Sequence, residues 1–372
     1  MTKPDFPVTI DEVTPAWLTT VLRASGTIGG GVAVRSLRHE QVGLGVGIMG
    51  VIHRVALEYD TPSPGAPSAV VVKQPSTFPA NKEQGVTLGL YVSEVRFYRE
   101  LSSRTALRVP RVFHAELAPN ADFVIVMEDL SALRTLDQTV GMTPSEMHHA
   151  VVALADLHGP WWEKVGDLEW IPSVVHPRIE GFAAAFPMLW DVVKVRFAAQ
   201  LDSTGMAIGD AVAKHYLSFM QRLGKRPWTL LHMDYRCDNF LVDDSPAASA
   251  APLVTLDWQS MGRGPGVYDL AYLIGGSMTV SDRRAHGDSL LRAYHDRLMT
   301  HVKTSPTLAA YDFDSLVADY RLASLVGMGS AVLVGGGLDM GNERGVALIS
   351  SMVERHFALP ADLGALDLVT EQ

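Results

Sequence analysis

Residues 230–242 read LLHMDYRCDNFLV and, after the polar loop DDSPAASAAP, residues 253–258 read LVTLDW. The runs 240–242 and 253–256 have the length and apolar character of short buried strands, and the Asp, Ser, Pro and Ala between them mark a turn. Two strands folded back on each other would draw together Asp234 before the hairpin, Asn239 at its start and Asp257 at its end. Phosphoryl transfer needs such a set: one carboxylate to orient a hydroxyl and take its proton, and an amide with a second carboxylate to hold magnesium.

The string HMDYRCDN, followed by LDWQ and GPGVYDLAYL, resembles the aminoglycoside phosphotransferase and choline-kinase-like superfamily, including its ecdysteroid-kinase-like members. These relatives of protein kinases phosphorylate small molecules. Their pattern is His-Gly-Asp, four residues, Asn, then an Asp after a hydrophobic strand. Met233 stands where the family usually has Gly, which changes the local backbone question but removes no chemical group. The resemblance implies that Asp234 is the catalytic base, that Asn239 and Asp257 bind Mg²⁺, and that Asp269 braces the catalytic loop.

Upstream, Gly45, Gly47 and Gly50 fit G-x-G-x-x-G. A dinucleotide-binding unit would follow this with a helix. Here the next residues alternate Val51, His53, Val55, Leu57 against Ile52, Arg54, Ala56, Glu58, as a strand does. A glycine loop between two strands instead suits phosphates approached by backbone amides. AVVVK ends in Lys73, which after a glycine loop and one hairpin stands where a lysine could pair with phosphates; the helix-like LGLYVSEVRFYREL holds Glu94, which the resemblance implies is its partner, with Glu100 as rival. By resemblance, FVIVMEDL leads into a linker whose backbone near Glu128 and Leu130 would bind the nucleotide base.

Lys plus Arg number 31 against 41 Asp plus Glu, a net charge of −10. That balance argues against nucleic acid or an anionic membrane as the main partner. A single cysteine, Cys237, permits no internal disulfide and reads as a space filler, since no motif pairs it with a base. With no signal peptide legible, a cytoplasmic setting is expected. No apolar run is expected to approach the ~18 uncharged residues of a spanning helix.

Thr14-Pro15 starts an N-terminal helix, and Thr143-Pro144 with Glu146 forms a capping box opening another. That second helix is expected to close at Gly159, with His158 as a C-terminal cap on its dipole. His148 and His149 are adjacent and point apart on a helix, a poor metal site. Residues 160–200, rich in Trp161, Trp162, Trp170, Phe182, Phe186, Met188 and Trp190, read as an irregular insertion, either lining an apolar acceptor pocket or packing as core. The remainder is helical in period, ending in an acidic tail of Asp362, Asp367 and Glu371.

The implied fold is α+β and protein-kinase-like, with two lobes. Residues 1–129 form a nucleotide-binding lobe, a small antiparallel β-sheet with an N-terminal helix. Residues 130–372 form a larger, mainly helical lobe carrying catalysis and the acceptor, nucleotide and magnesium lying in the cleft. The expected activity is Mg²⁺-dependent transfer from ATP or GTP to a hydroxyl of a small molecule; the alternative is a catalytically silent, kinase-fold binding protein. A protein kinase is disfavoured, because Asp257 is followed by Trp258 and Gln259 and no Ala-Pro-Glu segment follows. The aromatic insertion favours an apolar alcohol over an aminoglycoside.

Overall fold

A computed structural model describes residues 4–43, 49–337 and 343–370. The chain divides into two compact units, one of Met1–Arg104, Arg108–Arg134 and Val254–Ser260, the other of Thr105–Leu107, Thr135–Leu253 and Met261–Gln372.

The first unit is built on five antiparallel strands: β1 (Val34–Val42), β2 (Gly50–Tyr59), β3 (Ala69–Pro75), β4 (Val112–Leu117) and β5 (Phe123–Glu128), in spatial order β1-β2-β3-β5-β4. Period-two patterning decides its faces. Val55, Leu57, Val70, Val72, Val124 and Val126 point to one side and are buried beneath the N-terminal segment and helix α1 (Pro15–Ala24), through Phe6, Val13, Leu18 and Leu22. The Thr14 hydroxyl accepts from Trp17 N–H at 3.2 Å, satisfying an orphan donor of α1. Thr19 Oγ1 in turn accepts from Val34 N–H at 2.9 Å, tying the helix to β1. The opposite face carries Ile52, Arg54, Val71, Lys73 and Met127, set in register by the pairs Ile52↔Lys73, Arg54↔Val71 and Val71↔Met127.

After β3 come α2 (Pro79–Thr87) and α3 (Leu90–Arg96), and α3 runs on into a wider π turn over Phe97–Leu101. Residues 254–260 join this unit by stacking. The Trp258 indole lies on the Phe97 ring with centroids 3.8 Å apart and planes 4° from parallel, and Thr255 N–H donates to Arg108 O at 2.8 Å.

The second unit is mainly helical: α4 (Pro144–Trp161), α5 (Arg178–Arg196), α6 (Ser203–Leu223), α7 (Val267–Ser277), α8 (Val280–Met299), α9 (Phe313–Gly337) and α10 (Glu343–Asp362). The capping box at the start of α4 is formed as expected, both Thr143 and Glu146 taking part. Helix α9 packs on α5, α6, α7 and α10. It corrects the expectation that no segment is apolar enough to span a membrane: by length and composition α9 is, but 67% of its most apolar stretch is buried inside the protein. A core helix surrounded by others is apolar all round for that reason.

Three further expectations are corrected. Residues 178–196 are a regular helix with Pro187 inside it, not an irregular insertion. Most of the region's aromatics are core: Trp190 stacks on Phe357, Phe186 on Tyr216, and Trp162 packs against Tyr311. Phe182 and Trp170 are half-buried, and Met188 is exposed. Helix α4 does not stop at Gly159; a Cβ there would lie 2.4 Å from the His301 ring, so glycine serves close approach rather than termination. The acidic residues near the C-terminus are docked: Asp362 pairs with Arg283 and Arg284, and Asp367 with Arg321. Glu371 lies outside the described residues.

Candidate active site

In the first unit, β3 delivers Lys73 to the face opposite the buried core. Lys73 Nζ donates to Glu94 Oε1 of α3 at 2.7 Å and lies 3.8 Å from Asp257 Oδ1. Glu94 is therefore the lysine's partner. The rival Glu100 instead accepts two bonds from Arg96, at 2.7 and 2.9 Å. The Lys73 and Glu94 side chains are only 11% and 2% exposed, so the pair is buried. Burial pulls the Lys73 pKa down, but the charges of Glu94 and Asp257 outweigh it and the net shift is upward. Burial raises the Glu94 pKa, with Lys73 opposing and Asp257 adding to the rise.

Two carboxylates thus face one ammonium. Glu94 Oε2 and Asp257 Oδ1 are both buried without a hydrogen-bond partner, an arrangement that costs stability unless a cation completes it. Asp257 holds a left-handed backbone, φ 63°, which Asp tolerates better than most residues. Its Oδ2 accepts from Gln259 Nε2 at 3.1 Å. Gly50 faces the same lysine: a Cβ on it would come 3.2 Å from Gln74 O and 3.3 Å from Lys73 Cε, so a side chain here would crowd Lys73. Gly45 and Gly47 lie outside the described residues. Glu128 N–H already donates to Arg111 O, and Leu130 O accepts from Leu133 N–H. Those two backbone groups are committed within the protein.

In the second unit, strand 229–231 pairs with 262–264 and leads into the loop carrying Asp234. Asp269, fully buried on the first turn of α7, accepts from His232 N–H at 2.7 Å and Met233 N–H at 2.9 Å. It is the brace that the sequence implied. Met233, the departure from the family's glycine, adopts φ 67°, the left-handed region that favours glycine. His158 is no helix cap. It is fully buried, its Nδ1 2.7 Å from Tyr294 Oη and its Nε2 3.5 Å from Asp269 Oδ2.

Asp234 is gripped on both oxygens. Oδ1 accepts from Tyr272 Oη at 3.0 Å and Arg236 Nε at 3.1 Å, and Oδ2 accepts from Asn239 Nδ2 at 2.9 Å. Its side chain remains 27% exposed. Asn239 Nδ2 also donates to Asp234 O, which leaves the amide oxygen as the group to offer a cation. Arg236 is fixed in turn by Asp238 Oδ2 at 2.7 Å. Cys237 is buried and its thiol is pushed up to about 12, chiefly by burial, so it is no thiolate nucleophile.

Sequence reasoning missed Arg236 and Tyr272, and took His158 for a helix cap. Tyr272 had a usable signal: three residues after Asp269 it shares that residue's helix face. Among the described residues no group of three or more His, Cys, Asp or Glu could hold a metal ion. Mg²⁺ needs less, one or two carboxylates completed by phosphates and water. In the first unit Asp257 offers a carboxylate oxygen without a hydrogen-bond partner, and in the second Asn239 offers an oriented amide oxygen.

The fold is that of kinase-like phosphotransferases. Choline kinase from Cryptosporidium parvum Iowa II superposes with a TM-score of 0.51 at 8% identity, covering 94% of this chain and 98% of that one. Aminoglycoside 2'-phosphotransferase-IIIa, solved as a GDP complex, gives 0.50 at 14% identity, covering 92% and 97%. More specifically, the model of the Ecdysteroid kinase-like family matches residues 191–306. An uncharacterized kinase-like protein of Caenorhabditis elegans is 22% identical over 255 residues, 65% of this chain. The match spans 64% of that relative's length. The resemblance read from HMDYRCDN and LDWQ therefore holds.

Proposed function

We propose that the chain is a Mg²⁺- and nucleoside-triphosphate-dependent phosphotransferase acting on a hydroxyl of a small molecule. The observation that carries this reading is the buried Lys73–Glu94 pair with Asp257 beside it. A surplus carboxylate is a poor choice for stability alone and a good one for a site that takes up a cation.

Lys73, held by Glu94, would hold phosphate oxygens. Asp257 and Asn239 would hold Mg²⁺, which when bound supplies charge neutralisation for the transferring phosphoryl group. Asp234 would orient the acceptor hydroxyl and accept its proton. Tyr272, Arg236 and Asn239 fix the Asp234 carboxylate in place, so its orientation is set before the acceptor arrives. Gly45, Gly47 and Gly50 would let backbone amides approach the phosphates, and the backbone near Glu128 and Leu130 would meet the base with groups other than the two already committed.

Trp161, Trp162, Phe186 and Trp190 lie in the core, so most of the aromatics of this region are not free to wall an acceptor pocket. Acceptor class is therefore open to assay. The test is release of nucleoside diphosphate from Mg-ATP and Mg-GTP across aminoglycosides, choline, sugars, macrolides and sterols. Asp234→Ala serves as control, and losing the base should cost about 10²–10⁴-fold. Binding of Mg-nucleotide without turnover on any acceptor would instead support a silent binding protein.

A further inference from the structure

The face of the sheet that carries Lys73 holds a second charged group that the reading above leaves unused. Arg54 lies on β2, directly opposite Val71 on β3 and Glu40 on β1. Val71 is opposite Met127 on β5. Ile52 and Lys73 form the neighbouring rung, two residues along, so the Arg54 rung sits about 7 Å from the lysine on the same face.

Arg54 does not point away from this face. Its Nε donates to Asp129 Oδ2 at 2.8 Å, and Asp129 is one residue beyond the end of β5. The order of strands is β2-β3-β5. To reach Asp129, the Arg54 side chain must cross β3 at Val71. On its other side, Nη1 lies 3.5 Å from Glu40 Oε1. Asp129 is itself fixed, its Oδ1 accepting from Ser131 N–H at 3.0 Å. Two carboxylates therefore engage the guanidinium at Nε and Nη1, along its edges, and neither covers its planar face. Beneath it lie Val71 and Met127, both half-buried.

We propose that Arg54 is the stacking platform for the nucleobase, with Asp129 and Glu40 holding it flat. This rests on the phosphotransferase reading, which puts the phosphates at Lys73. A nucleotide extending from there away from Gly50, along β2, meets the Arg54 rung next. Apolar side chains with a planar cation across them suit a flat aromatic ring, which an arginine face attracts electrostatically and by stacking. Every base has such a face, so Arg54 contributes affinity without choosing between adenine and guanine.

The test is calorimetry of the full chain with three probes: Mg-ADP, Mg-GDP and Mg-tripolyphosphate. Arg54→Ala should weaken Mg-ADP and Mg-GDP by about tenfold each and leave Mg-tripolyphosphate unchanged. Arg54→Lys keeps the charge but lacks the plane, and should match the alanine variant. The side chain is 34% exposed, and an unchanged thermal midpoint in both variants verifies folding. Unaltered Mg-ADP affinity in Arg54→Ala would overturn the proposal. So would an equal loss with tripolyphosphate, or full rescue by lysine, since either makes the effect one of charge alone. A wild-type chain that binds none of the three overturns the phosphotransferase reading, and this assignment falls with it.

Discussion

The Asp269 carboxylate holds the Met233 N–H at 2.9 Å while Met233 sits in a left-handed backbone at φ 67°. The brace fixes the turn, and the turn is one that an L side chain enters at a cost of about 1–2 kcal/mol. Glycine would enter this turn at no such cost, which is what the methionine sacrifices. Met233→Gly should stabilise the protein by about 0.5–1 kcal/mol after the extra chain entropy of glycine is subtracted. Met233→Val, branched at Cβ, should destabilise it by about 1–2 kcal/mol. Urea denaturation of the three proteins measures both, and a glycine variant less stable than wild type would refute the strain.

Asp257 supplies the second prediction. With its Oδ1 buried and without a hydrogen-bond partner, Asp257→Asn removes the negative charge that a cation would neutralise. Affinity for Mg-ADP should fall at least tenfold, while affinity for ADP without metal stays level or rises. Calorimetry with and without Mg²⁺ separates the two, and equal losses would remove Asp257 from the metal's ligands.

The Trp258–Phe97 stack links the residue after Asp257 to the helix that presents Glu94. Both rings are fully buried. Trp258→Leu should cost about 3 kcal/mol in stability and also weaken Mg-ADP binding, because Asp257 loses its anchor. Phe97→Leu should act in the same direction. Combining them should cost less than the sum, by about 1 kcal/mol, as for two halves of one contact. Strict additivity in a double-mutant cycle would show that the stack positions nothing.

Local chemistry made much of the candidate site legible. The spacing from Asp234 to Asn239, a lysine ending β3 and a glutamate inside an amphipathic run are all short-range patterns. The capping box at Thr143 is another. What the sequence hid depends on distant partners. Nothing near Trp258 says that it will stack on Phe97, so the membership of residues 254–260 in the first unit was illegible. Gly159-Pro160 reads as a helix stop, yet α4 continues to Trp161 because the glycine makes room for the His301 ring. The aromatic density between 161 and 190 was visible, but whether those rings faced a ligand or each other depended on Tyr216, Tyr311 and Phe357, far along the chain.

His356 gives the last prediction. Its ring stacks on Tyr272, with centroids 5.3 Å apart and planes 21° from parallel, and Tyr272 is the residue that bonds Asp234. His356 is 1% exposed, and its Nε2 has no hydrogen-bond partner. Burial, aided by the positive charges of Arg283 and Arg355, lowers its pKa from 6.5 to about 3. The folded state therefore refuses a proton that the unfolded chain accepts. Above pH 6.5 neither state is protonated there and the group has no effect on stability. Below it, the unfolded state binds more protons, so stability falls with pH by about 1.4 kcal/mol per unit until the folded pKa is reached. His356→Phe keeps an aromatic ring against Tyr272 and removes the titration. Its stability at pH 7.5 can differ from wild type in either direction, since phenylalanine is larger and lacks the buried nitrogen. The slope is the readout: between pH 6 and pH 4 the variant should lose about 2–3 kcal/mol less than wild type. Chemical denaturation at a series of pH values measures this difference, and parallel curves for the two proteins would show that His356 carries no such shift.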